Sequence, residues 1–487
     1  MADRIPEDRR RSFQGVGTIA SSGSTTVTPK YSRFRRRLVL GLLALLLVVG
    51  AGVWFGVAPR GDDAAAEVAA AEARLPDVEP AAPVLAALAS EAPAPDAAVL
   101  ADELAPLLAS PALGPGVEAR VVDVAAGEVL LDQDSDVPST PASTAKLLTA
   151  VAALTTLGPD TTLETTVVAG SAPGEVVLVG GGDPTLSRTV PSLTYPGAPT
   201  VADLAAQVRG SLPAGTRVTR VVIDNSLFQG PLTASGWGPG DAPSTYAAPV
   251  TATAVDGARV RSGDLPRSGA PGTDAGTALA VALGVPDATV VLGNAPQGAQ
   301  TLGSVRSAPV ARLVEQALSQ SDNLLTESLA RHVALARDLP ATFEGAAEAV
   351  TGALTDAGLD VTGVSLSDGS GLSTTDRVPV ELLTELFTGA ADGTLPGTSA
   401  VLSGLPVAGY DGTLFDRGDA DPATAPGSVR AKTGTLLGVH GLAGTVVTAE
   451  GRLLVFGVVA DGAPANGEAA EDALDAVASA LAACGCR

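Results

Sequence analysis

Cysteine and histidine are scarce in this chain, which limits the metal chemistry available to it. Its 487 residues include two cysteines, Cys484 and Cys486, and two histidines, His332 and His440. A zinc site of the usual kind needs three or four Cys or His ligands that the fold brings together. The sequence therefore predicts no such metal site, and we expect no cofactor. A carboxylate-rich Ca²⁺ site stays open, although no EF-hand spacing occurs.

The two cysteines stand close together at the end of the chain. A disulfide between Cys484 and Cys486 would close a very small ring, and the stabilisation from a disulfide grows with the loop that it closes. We therefore expect the last residues to form a frayed tail without structural importance.

Positive charge is scarce outside the first 60 residues. The formal net charge is −23, with ten Lys or Arg against three Asp or Glu in residues 1–60, and 20 against 50 in residues 61–487. A body this acidic repels a phosphate backbone. The charge balance therefore indicates that nucleic acid is not a partner.

The charge changes sign across an apolar run, Leu38–Val57. As a helix, a run of this length crosses roughly 30 Å of hydrocarbon. Basic residues precede the run and acidic residues follow it, which places the N-terminus in the cytoplasm and the body outside. A cleaved signal peptide would give the same topology without an anchor, but Ala58-Pro59-Arg60 is a poor cleavage site. We therefore expect a cytoplasmic basic tail (1–37), a transmembrane helix (38–58) and an Ala/Pro/acidic linker (59–100).

Beyond the linker, the apolar pattern predicts an α/β domain formed by both ends of the chain. Its expected strands and final helix are Val117–Val124, Glu128–Asp132, Ser428–Thr433, Val439–Thr448, Arg452–Val459 and Gly467–Ala483. Strands at both ends with helices between them indicate one domain, formed by 101–160 and 296–487. Short strand-like runs separated by Gly and Pro predict an inserted, mostly β module at 161–295. We expect the α/β core to fold and to react without this module.

Lysine is rare as well, and its positions are informative. Residues 61–487 hold eighteen arginines but only two lysines, Lys146 and Lys432. A buried lysine can lose its proton, whereas arginine keeps its charge in a protein. The neighbours of the two lysines therefore decide whether either has a chemical role.

Lys146 follows Ser143 by three residues, at the start of a helix that Pro141 begins and Gly158 ends. This spacing puts both side chains on one helical face. A desolvated amine can accept the proton of a serine, and the helix N-terminus favours an oxyanion nearby. The S-x-x-K pattern alone is weak, because a serine at this position is equally typical of a helix N-cap.

Two further short patterns contain candidate binding residues. Lys432-Thr433-Gly434-Thr435 ends an expected strand, where a cation and hydroxyls can hold a substrate carboxylate. Ser321-Asp322-Asn323 separates two expected helices, Pro309–Ser319 and Leu324–Ala336. Taken singly, the first is equally typical of a strand-end lysine and the second of an N-cap.

Taken together and in this order, S-x-x-K, S-D-N and K-T-G are typical of penicillin-binding proteins and class A β-lactamases. The chain resembles this superfamily over roughly residues 100–480. Longer stretches narrow the resemblance to class C low-molecular-mass penicillin-binding proteins, the D-Ala-D-Ala carboxypeptidase/endopeptidase family. These stretches are 179–186 (VGGGDPTL), 368–373 (DGSGLS), 405–412 (LPVAGYDG) and 431–441 around the K-T-G.

This resemblance implies a penicillin-binding/serine β-lactamase-like domain, in which an antiparallel sheet is flanked by helices. It implies a serine-type D-Ala-D-Ala carboxypeptidase whose partners are peptidoglycan stem peptides ending in D-Ala-D-Ala. It also implies that β-lactam antibiotics act as covalent inhibitors.

The resemblance further implies a role for each motif residue. Ser143 is the nucleophile and Lys146 its base, while Ser321 and Asn323 relay protons and orient the substrate amide. The backbone N–H groups of Ser143 and Thr435 form the oxyanion hole. Lys432 and Thr433 bind the terminal carboxylate of the substrate, and Gly434 and Thr435 complete this substrate-binding segment.

Other functions stay open at this point. The same site residues would serve a β-lactamase or a DD-endopeptidase, and the rate of deacylation of a penicillin adduct separates the β-lactamase from the others. A non-catalytic cell-wall binding protein could keep the fold, but it would have no need of both Lys146 and Lys432.

Overall fold

The computed structural model describes residues 92–417 and 427–485, all of which belong to one compact unit. The expected tail (1–37), the transmembrane helix (38–58) and most of the linker (59–100) lie outside the described residues. Within the described ranges, no helix is long and apolar enough to cross a membrane.

The described residues form two sheets and a set of helices. The strands are β1 (Val117–Asp123), β2 (Glu128–Gln133), β3 (Glu164–Ala169), β4 (Glu175–Val179), β5 (Arg220–Asp224), β6 (Thr289–Leu292), β7 (Thr301–Arg306), β8 (Val429–Leu436), β9 (Val439–Val447) and β10 (Leu453–Asp461). The α-helices are α1 (Ala97–Leu108), α2 (Lys146–Leu157), α3 (Val201–Ser211), α4 (Pro271–Ala282), α5 (Val310–Ser319), α6 (Asn323–Ala336), α7 (Phe343–Asp356), α8 (Val380–Asp392), α9 (Ser399–Ser403) and α10 (Gly467–Ala483).

The first sheet is antiparallel and joins the two ends of the folded unit. Its strand order is β2-β1-β10-β9-β8, so β1 pairs with β10 although more than 300 residues separate them in sequence. The prediction that N- and C-terminal segments complete one sheet is confirmed. Strand β8 lies at the edge of the sheet, which leaves one side of it open to a cleft.

Both faces of this sheet are covered by helices, because the side chains of β10 point alternately to one face and to the other. Leu454, Phe456 and Val458 pack with α1 and α10 on one face, whereas Val455 and Val459 pack with the central helices on the other. Each of these side chains is at most 1% exposed. Burial of one such side chain contributes roughly 1.5–3 kcal/mol. The sheet is therefore a rigid base for the residues at its edge.

Helix α2 lies at the centre of the helical layer. Residues 146–154 are buried without interruption, and α2 packs against α5, α6 and α7. A helix that is apolar all round must be enclosed by other elements. The first turn of α2 is therefore held firmly at the point where the chain reaches the cleft.

The linker predicted at 59–100 ends earlier than expected. Asp96 caps α1 by accepting hydrogen bonds from the N–H groups of Ala98 and Val99. Leu100 and Leu104 follow at a spacing of four, and both are fully buried against the sheet. Because one apolar face of α1 covers the sheet, the folded unit includes α1 from its cap onwards.

The module predicted at 161–295 is larger than expected and is not mostly β. Its five-stranded sheet has the order β6-β5-β4-β3-β7, so β7 extends it to Arg306. The pairs β4–β5 and β5–β6 are parallel, and helices α3 and α4 pack on one face. Parallel neighbours need crossover connections, which these helices supply. The module is therefore α/β, with a mixed sheet.

The C-terminal residues are also better ordered than predicted. Helix α10 has the bounds expected from sequence, and Cys484 just beyond it is 4% exposed. Cys484 packs in the same apolar cluster as Leu481 and Ala482. The expectation of a frayed tail is therefore wrong for Cys484, while Cys486 lies outside the described residues.

Candidate active site

Ser143 lies in a short 3₁₀ turn, Ala142–Ala145, that leads directly into α2. The turn is fixed by Thr144, whose hydroxyl donates to the carbonyl of Pro141 at 2.6 Å. Ala142 adopts a left-handed conformation, with φ of 47°. This conformation is costly for a residue with a side chain, and such strain is typical of functional sites. The turn places the Ser143 hydroxyl in the cleft.

Lys146 is fully buried beneath Ser143. Its Nζ donates to Ser143 Oγ at 2.9 Å, to Asn323 Oδ1 at 2.5 Å and to the carbonyl of Ser370 at 2.7 Å. Three acceptors match the three donors of an ammonium group. Burial lowers the pKa of Lys146 to about 8, although Asp368, Glu327 and Asp322 oppose the shift. The amine is therefore both aimed at Ser143 and able to lose its proton.

The turn between α5 and α6 supplies the second predicted pair. Asn323 is the first residue of α6, and its amide bonds Lys146 through Oδ1 and the carbonyl of Tyr246 through Nδ2. Ser321 has φ of 51° and faces the cleft, where its Oγ accepts from Lys432 Nζ at 3.0 Å. The two residues flanking Asp322 thus each bond one of the two lysines.

The third group lies on the edge strand β8. Lys432 is fully buried, and its Nζ also donates to the carbonyl of Thr433 at 2.9 Å. Burial, reinforced by the charge of Lys146, lowers the pKa of Lys432 well below its ordinary value. A Cβ on Gly434 would lie 2.9 Å from the carbonyl oxygen of Pro141. Glycine at this position therefore allows β8 to approach the turn that contains Ser143.

These groups open into one cleft of about 430 Å³. The predicted residues that line it are Ser143, Ser321, Asn323, Thr433 and Thr435. Lys146 and Lys432 lie behind the wall, bonded to the lining hydroxyls. The structure thus brings together the predicted site residues, which come from three separate parts of the chain.

The inserted module lines the same cleft, although no motif in the sequence marks the residues that do so. Tyr246, Arg259, Leu265 and Arg267 form part of its wall. These residues lie between β5 and α4, far in sequence from each motif. Because no local pattern marks them, these individual residues could not be identified from the sequence.

Asp368 organises a loop that the sequence singled out only as a family signature. Its carboxylate accepts hydrogen bonds from the N–H groups of Ser370, Gly371 and Ser373 and from Trp237 Nε1, at 2.6–3.0 Å. Four donors thus satisfy this buried carboxylate. The loop in turn presents the Ser370 carbonyl to Lys146.

Two more carboxyls lie buried beside this loop. Glu327 accepts from the N–H of Gly369 at 3.1 Å, and Asp376 accepts from the N–H of Ser367 at 2.6 Å. Burial, together with the charge of Asp368, raises the pKa of both carboxyls. In residues 92–417 and 427–485, no cluster of three or more Asp, Glu, His or Cys side chains is placed to hold a metal ion.

The fold and this arrangement of side chains define the class of protein. An antiparallel sheet between helical layers, with a serine–lysine pair at the start of a buried helix and a lysine on the edge strand, is the architecture of penicillin-binding proteins and serine β-lactamases. The solved structure of penicillin-binding protein 4 of Haemophilus influenzae shares this fold, with a TM-score of 0.61 at 23% identity, covering 75% of this chain and 93% of that one. A further structure of that protein holds a bound β-lactam.

The family follows from closer matches. The model of the D-Ala-D-Ala carboxypeptidase 3 (S13) family matches residues 100–269 and 261–483. Carboxypeptidase DacB of Mycolicibacterium smegmatis is 41% identical over 458 residues, covering 92% of this chain and 96% of that protein. A carboxypeptidase of Mycobacterium tuberculosis is 40% identical over 408 residues, covering 82% and 87%. This chain belongs to the D-Ala-D-Ala carboxypeptidase 3 (S13) family, a family of serine-type carboxypeptidases. The resemblance inferred from the motifs is confirmed.

Proposed function

We propose that this carboxypeptidase removes the terminal D-alanine from peptidoglycan stem peptides through an ester on Ser143. The observation that carries the proposal is the 2.9 Å hydrogen bond between Ser143 Oγ and the buried amine of Lys146. A serine hydroxyl is a weak nucleophile until a neighbouring base accepts its proton. No other base among the described residues bonds this hydroxyl.

Acylation begins with the unprotonated form of Lys146. The amine takes the proton of Ser143 as Oγ attacks the carbonyl carbon of the penultimate D-alanine. The N–H groups of Ser143 and Thr435 stabilise the resulting oxyanion. The C–N bond then breaks, and the departing D-alanine takes a proton that passes from Lys146. Such a base contributes typically 10²–10⁴-fold to the rate.

Deacylation uses the same groups in reverse. A water molecule attacks the ester carbonyl and gives its proton to Lys146, and Ser143 leaves with a proton returned by the amine. Asn323 holds Lys146 in place throughout, because its Oδ1 lies 2.5 Å from Nζ. The products are free D-alanine and a stem peptide shortened by one residue.

Recognition of the terminal carboxylate falls to the edge strand. Thr433 and Thr435 present hydroxyls to the cleft, and Lys432 lies directly behind them. An incoming carboxylate would favour protonation of Lys432, because opposite charges raise the pKa of an amine. Substrate binding and charging of Lys432 therefore reinforce each other.

Benzylpenicillin tests this proposal, because it resembles the substrate and leaves a stable adduct. Intact mass spectrometry of the soluble body, residues 92–487, should show one adduct, and peptide mapping should place it on Ser143. Ser143→Ala should show none, and incubation of the unmodified protein with muropeptides should release D-alanine. An adduct that persists in Ser143→Ala would overturn the assignment of the nucleophile.

The same experiment separates the alternatives. Rapid loss of the adduct with release of penicilloate would identify a β-lactamase. Cleavage of cross-linked muropeptide dimers would identify an endopeptidase, and no adduct at all would identify a binding protein that retains the fold.

We also propose that a transmembrane helix at 38–58 anchors the enzyme with its body outside the cytoplasm. Support comes from the uncharged run Leu38–Val57, the basic residues before it and the acidic residues after it. Protease added to spheroplasts should digest the body and leave a short N-terminal fragment. A fully protected protein would reverse this orientation.

A further inference from the structure

One contact between the inserted module and the catalytic domain centres on a buried carboxylate. Asp322 stands between Ser321 and Asn323, and its side chain is 1% exposed. Tyr195 donates its hydroxyl to Asp322 Oδ2 at 2.6 Å, and Arg267 Nη2 donates to Oδ1 at 3.1 Å. Both partners belong to the module.

Asp322 also fixes the turn between α5 and α6 through bonds to the first turn of α6. It is the N-cap of α6, because Oδ1 also accepts the N–H of Leu325 at 3.2 Å. Its backbone carbonyl accepts the hydroxyl of Thr326 at 2.8 Å. Any movement of this carboxylate therefore shifts Ser321 on one side and Asn323 on the other.

The charges at this contact are complementary and enclosed. Burial alone would raise the pKa of Asp322, but Arg267 and Arg259, with hydrogen bonds from Tyr195 and Leu325, lower it to about 2. The side chain of Arg267 is 4% exposed and also donates to the carbonyl of Gly257 at 2.6 Å. A buried charge that loses its partner is strongly destabilised. The contact therefore holds the module and the turn together.

The backbone segment around Gly257, whose carbonyl accepts the hydrogen bond from Arg267, is itself strained. Asp256, Gly257 and Ala258 have φ of 52°, 65° and 59°, three successive residues in the left-handed region. The buried carboxylate of Asp256 stabilises this turn by accepting from Ser187 and Arg188. A strained backbone conformation of this kind persists only where the surrounding contacts hold it in place.

The module and the catalytic domain also share an apolar core. Ala248, Val250 and Ala254 of the module pack with Leu324 of α6 and Phe343 of α7. The shared core argues against the expectation that the α/β core folds without the module, because removal of the module would expose Leu324 of α6 and Phe343 of α7.

We infer that Tyr195 and Arg267 are positioning residues for catalysis, which hold Asp322 so that Asn323 reaches Lys146 and Ser321 reaches Lys432. The inference rests on the proposed function. Arg267 lines the cleft, but within the described residues neither it nor Tyr195 hydrogen-bonds Ser143, Lys146 or Lys432. Their effect on the reaction passes through the turn, since Asn323 Oδ1 bonds Lys146 and Ser321 Oγ bonds Lys432.

Single substitutions in the full-length protein test the inference. Tyr195→Phe removes one hydroxyl and keeps the ring, Arg267→Gln removes the charge, and Arg267→Lys keeps it. Stopped-flow measurement with a fluorescent penicillin separates the dissociation constant of the initial complex from the rate constant of acylation. A misplacement of catalytic groups on the order of 1 Å costs about 10²-fold in rate. We expect a loss of this size in Arg267→Gln and of about tenfold in Tyr195→Phe, both in the acylation rate constant.

Rescue and a matched control distinguish positioning from general destabilisation. Arg267→Lys should recover much of the rate that Arg267→Gln loses. Arg337→Gln removes an Arg–Asp ion pair, to Asp356 at 2.8 Å, at the opposite end of α6. This control should acylate like the unmodified protein even where its melting temperature falls.

The outcomes are distinct. If the unmodified protein acylates but Tyr195→Phe and Arg267→Gln acylate equally fast, the inference is wrong and the proposed function stands. If Arg267→Gln does not fold, Tyr195→Phe and Arg267→Lys decide the matter, and unchanged rate constants in both overturn the inference. If the unmodified protein and Arg337→Gln form no adduct, the proposed function fails and the inference fails with it.

Discussion

Lys146 Nζ lies 2.9 Å from Ser143 Oγ. Ser143 lies in the 3₁₀ turn Ala142–Ala145, and Lys146 is the first residue of the α-helix that follows it. In a 3₁₀ turn, side chains three residues apart lie one above the other, whereas in an α-helix they are offset. The tighter turn thus brings the amine directly beneath the hydroxyl. Because Lys146 is the first residue of α2, it gains the rigidity of the buried helix.

The rate of acylation should depend on the ionisation of Lys146. Its pKa is about 8 because of burial, so the amine is mostly protonated at neutral pH and cannot accept the proton of Ser143. We expect the acylation rate to rise with pH and to level off above about pH 8. Stopped-flow measurement with a fluorescent penicillin between pH 5.5 and 9.5 would show this rise in the acylation rate. Melting temperatures recorded at each pH serve as a control. A rate that is already constant between pH 6 and 8 would contradict Lys146 as the base.

His332 should make the folded state sensitive to mild acid. Burial lowers the pKa of His332 from its ordinary value of 6.5 to about 4, although its ring bonds the carbonyl of Gly181. The unfolded chain therefore takes up this proton near pH 6.5 while the folded protein does not. The stabilisation is fully present above pH 6.5 and is lost as the pH falls towards 4, by roughly 2–3 kcal/mol.

Urea unfolding of the unmodified protein and of His332→Gln, at pH 7.5 and 4.5, measures this contribution. Glutamine can donate to the same carbonyl but does not titrate. The free energies of unfolding of the two proteins should converge at the lower pH. Equal changes with pH in both proteins would show that His332 titrates normally.

Gly371 should be needed for the position of Ser143. Its φ is 74°, and a β-carbon there would overlap the carbonyl oxygen of Ala142, one residue before the nucleophile. Gly393, at the end of α8, has φ of 83° but open space around it. Gly393→Ala should therefore cost only the backbone strain, roughly 1–2 kcal/mol, and leave acylation unchanged. Gly371→Ala should destabilise more and slow acylation about 10²-fold. Equal melting temperatures and equal rates in the two variants would contradict the proposed contact.

Much of the catalytic domain could be predicted from the sequence because its signals are local. The strands β1, β2 and β10 are short apolar runs bounded by glycine, and α10 is an Ala-rich run with apolar residues at helical spacing. The motif lysines could be found because lysine is so rare elsewhere. Each of these features is visible within about 20 residues of chain.

The module was harder to predict, because its signals are weak or distant. Helix α4 contains Gly272 and Gly276, which lower helix propensity by about 1 kcal/mol each. Both glycines are needed by packing, since a β-carbon at Gly276 would overlap Ile223 of the neighbouring strand. The contacts of Tyr195 and Arg267 with Asp322 span 127 and 55 residues. Hydrophobic periodicity does not predict hydrogen bonds between residues so far apart in sequence.

The sharpest test of the mechanism compares the two buried lysines. Lys146→Arg keeps a positive charge but removes a group able to accept the proton of Ser143, so acylation should fall by roughly 10²–10⁴-fold. Lys432→Arg keeps a cation near the substrate carboxylate. Retention of the positive charge would by itself favour a mild effect, but Lys432 is fully buried and bonds Ser321 Oγ at 3.0 Å. A guanidinium group does not fit that space without displacing Ser321, so a loss of about 10-fold or more is expected there as well.

The pH profile therefore separates the two roles better than the size of either loss. If Lys146 is the base, Lys146→Arg should abolish the rise in acylation rate towards pH 8, because the group whose ionisation produces it is gone. Lys432→Arg should lower the rate at every pH and keep the rise. Melting temperatures would show that both variants fold, and intact mass would show that any residual adduct still lies on Ser143. A rise that survives in Lys146→Arg and vanishes in Lys432→Arg would assign the proton transfer to Lys432 instead, acting through Ser321.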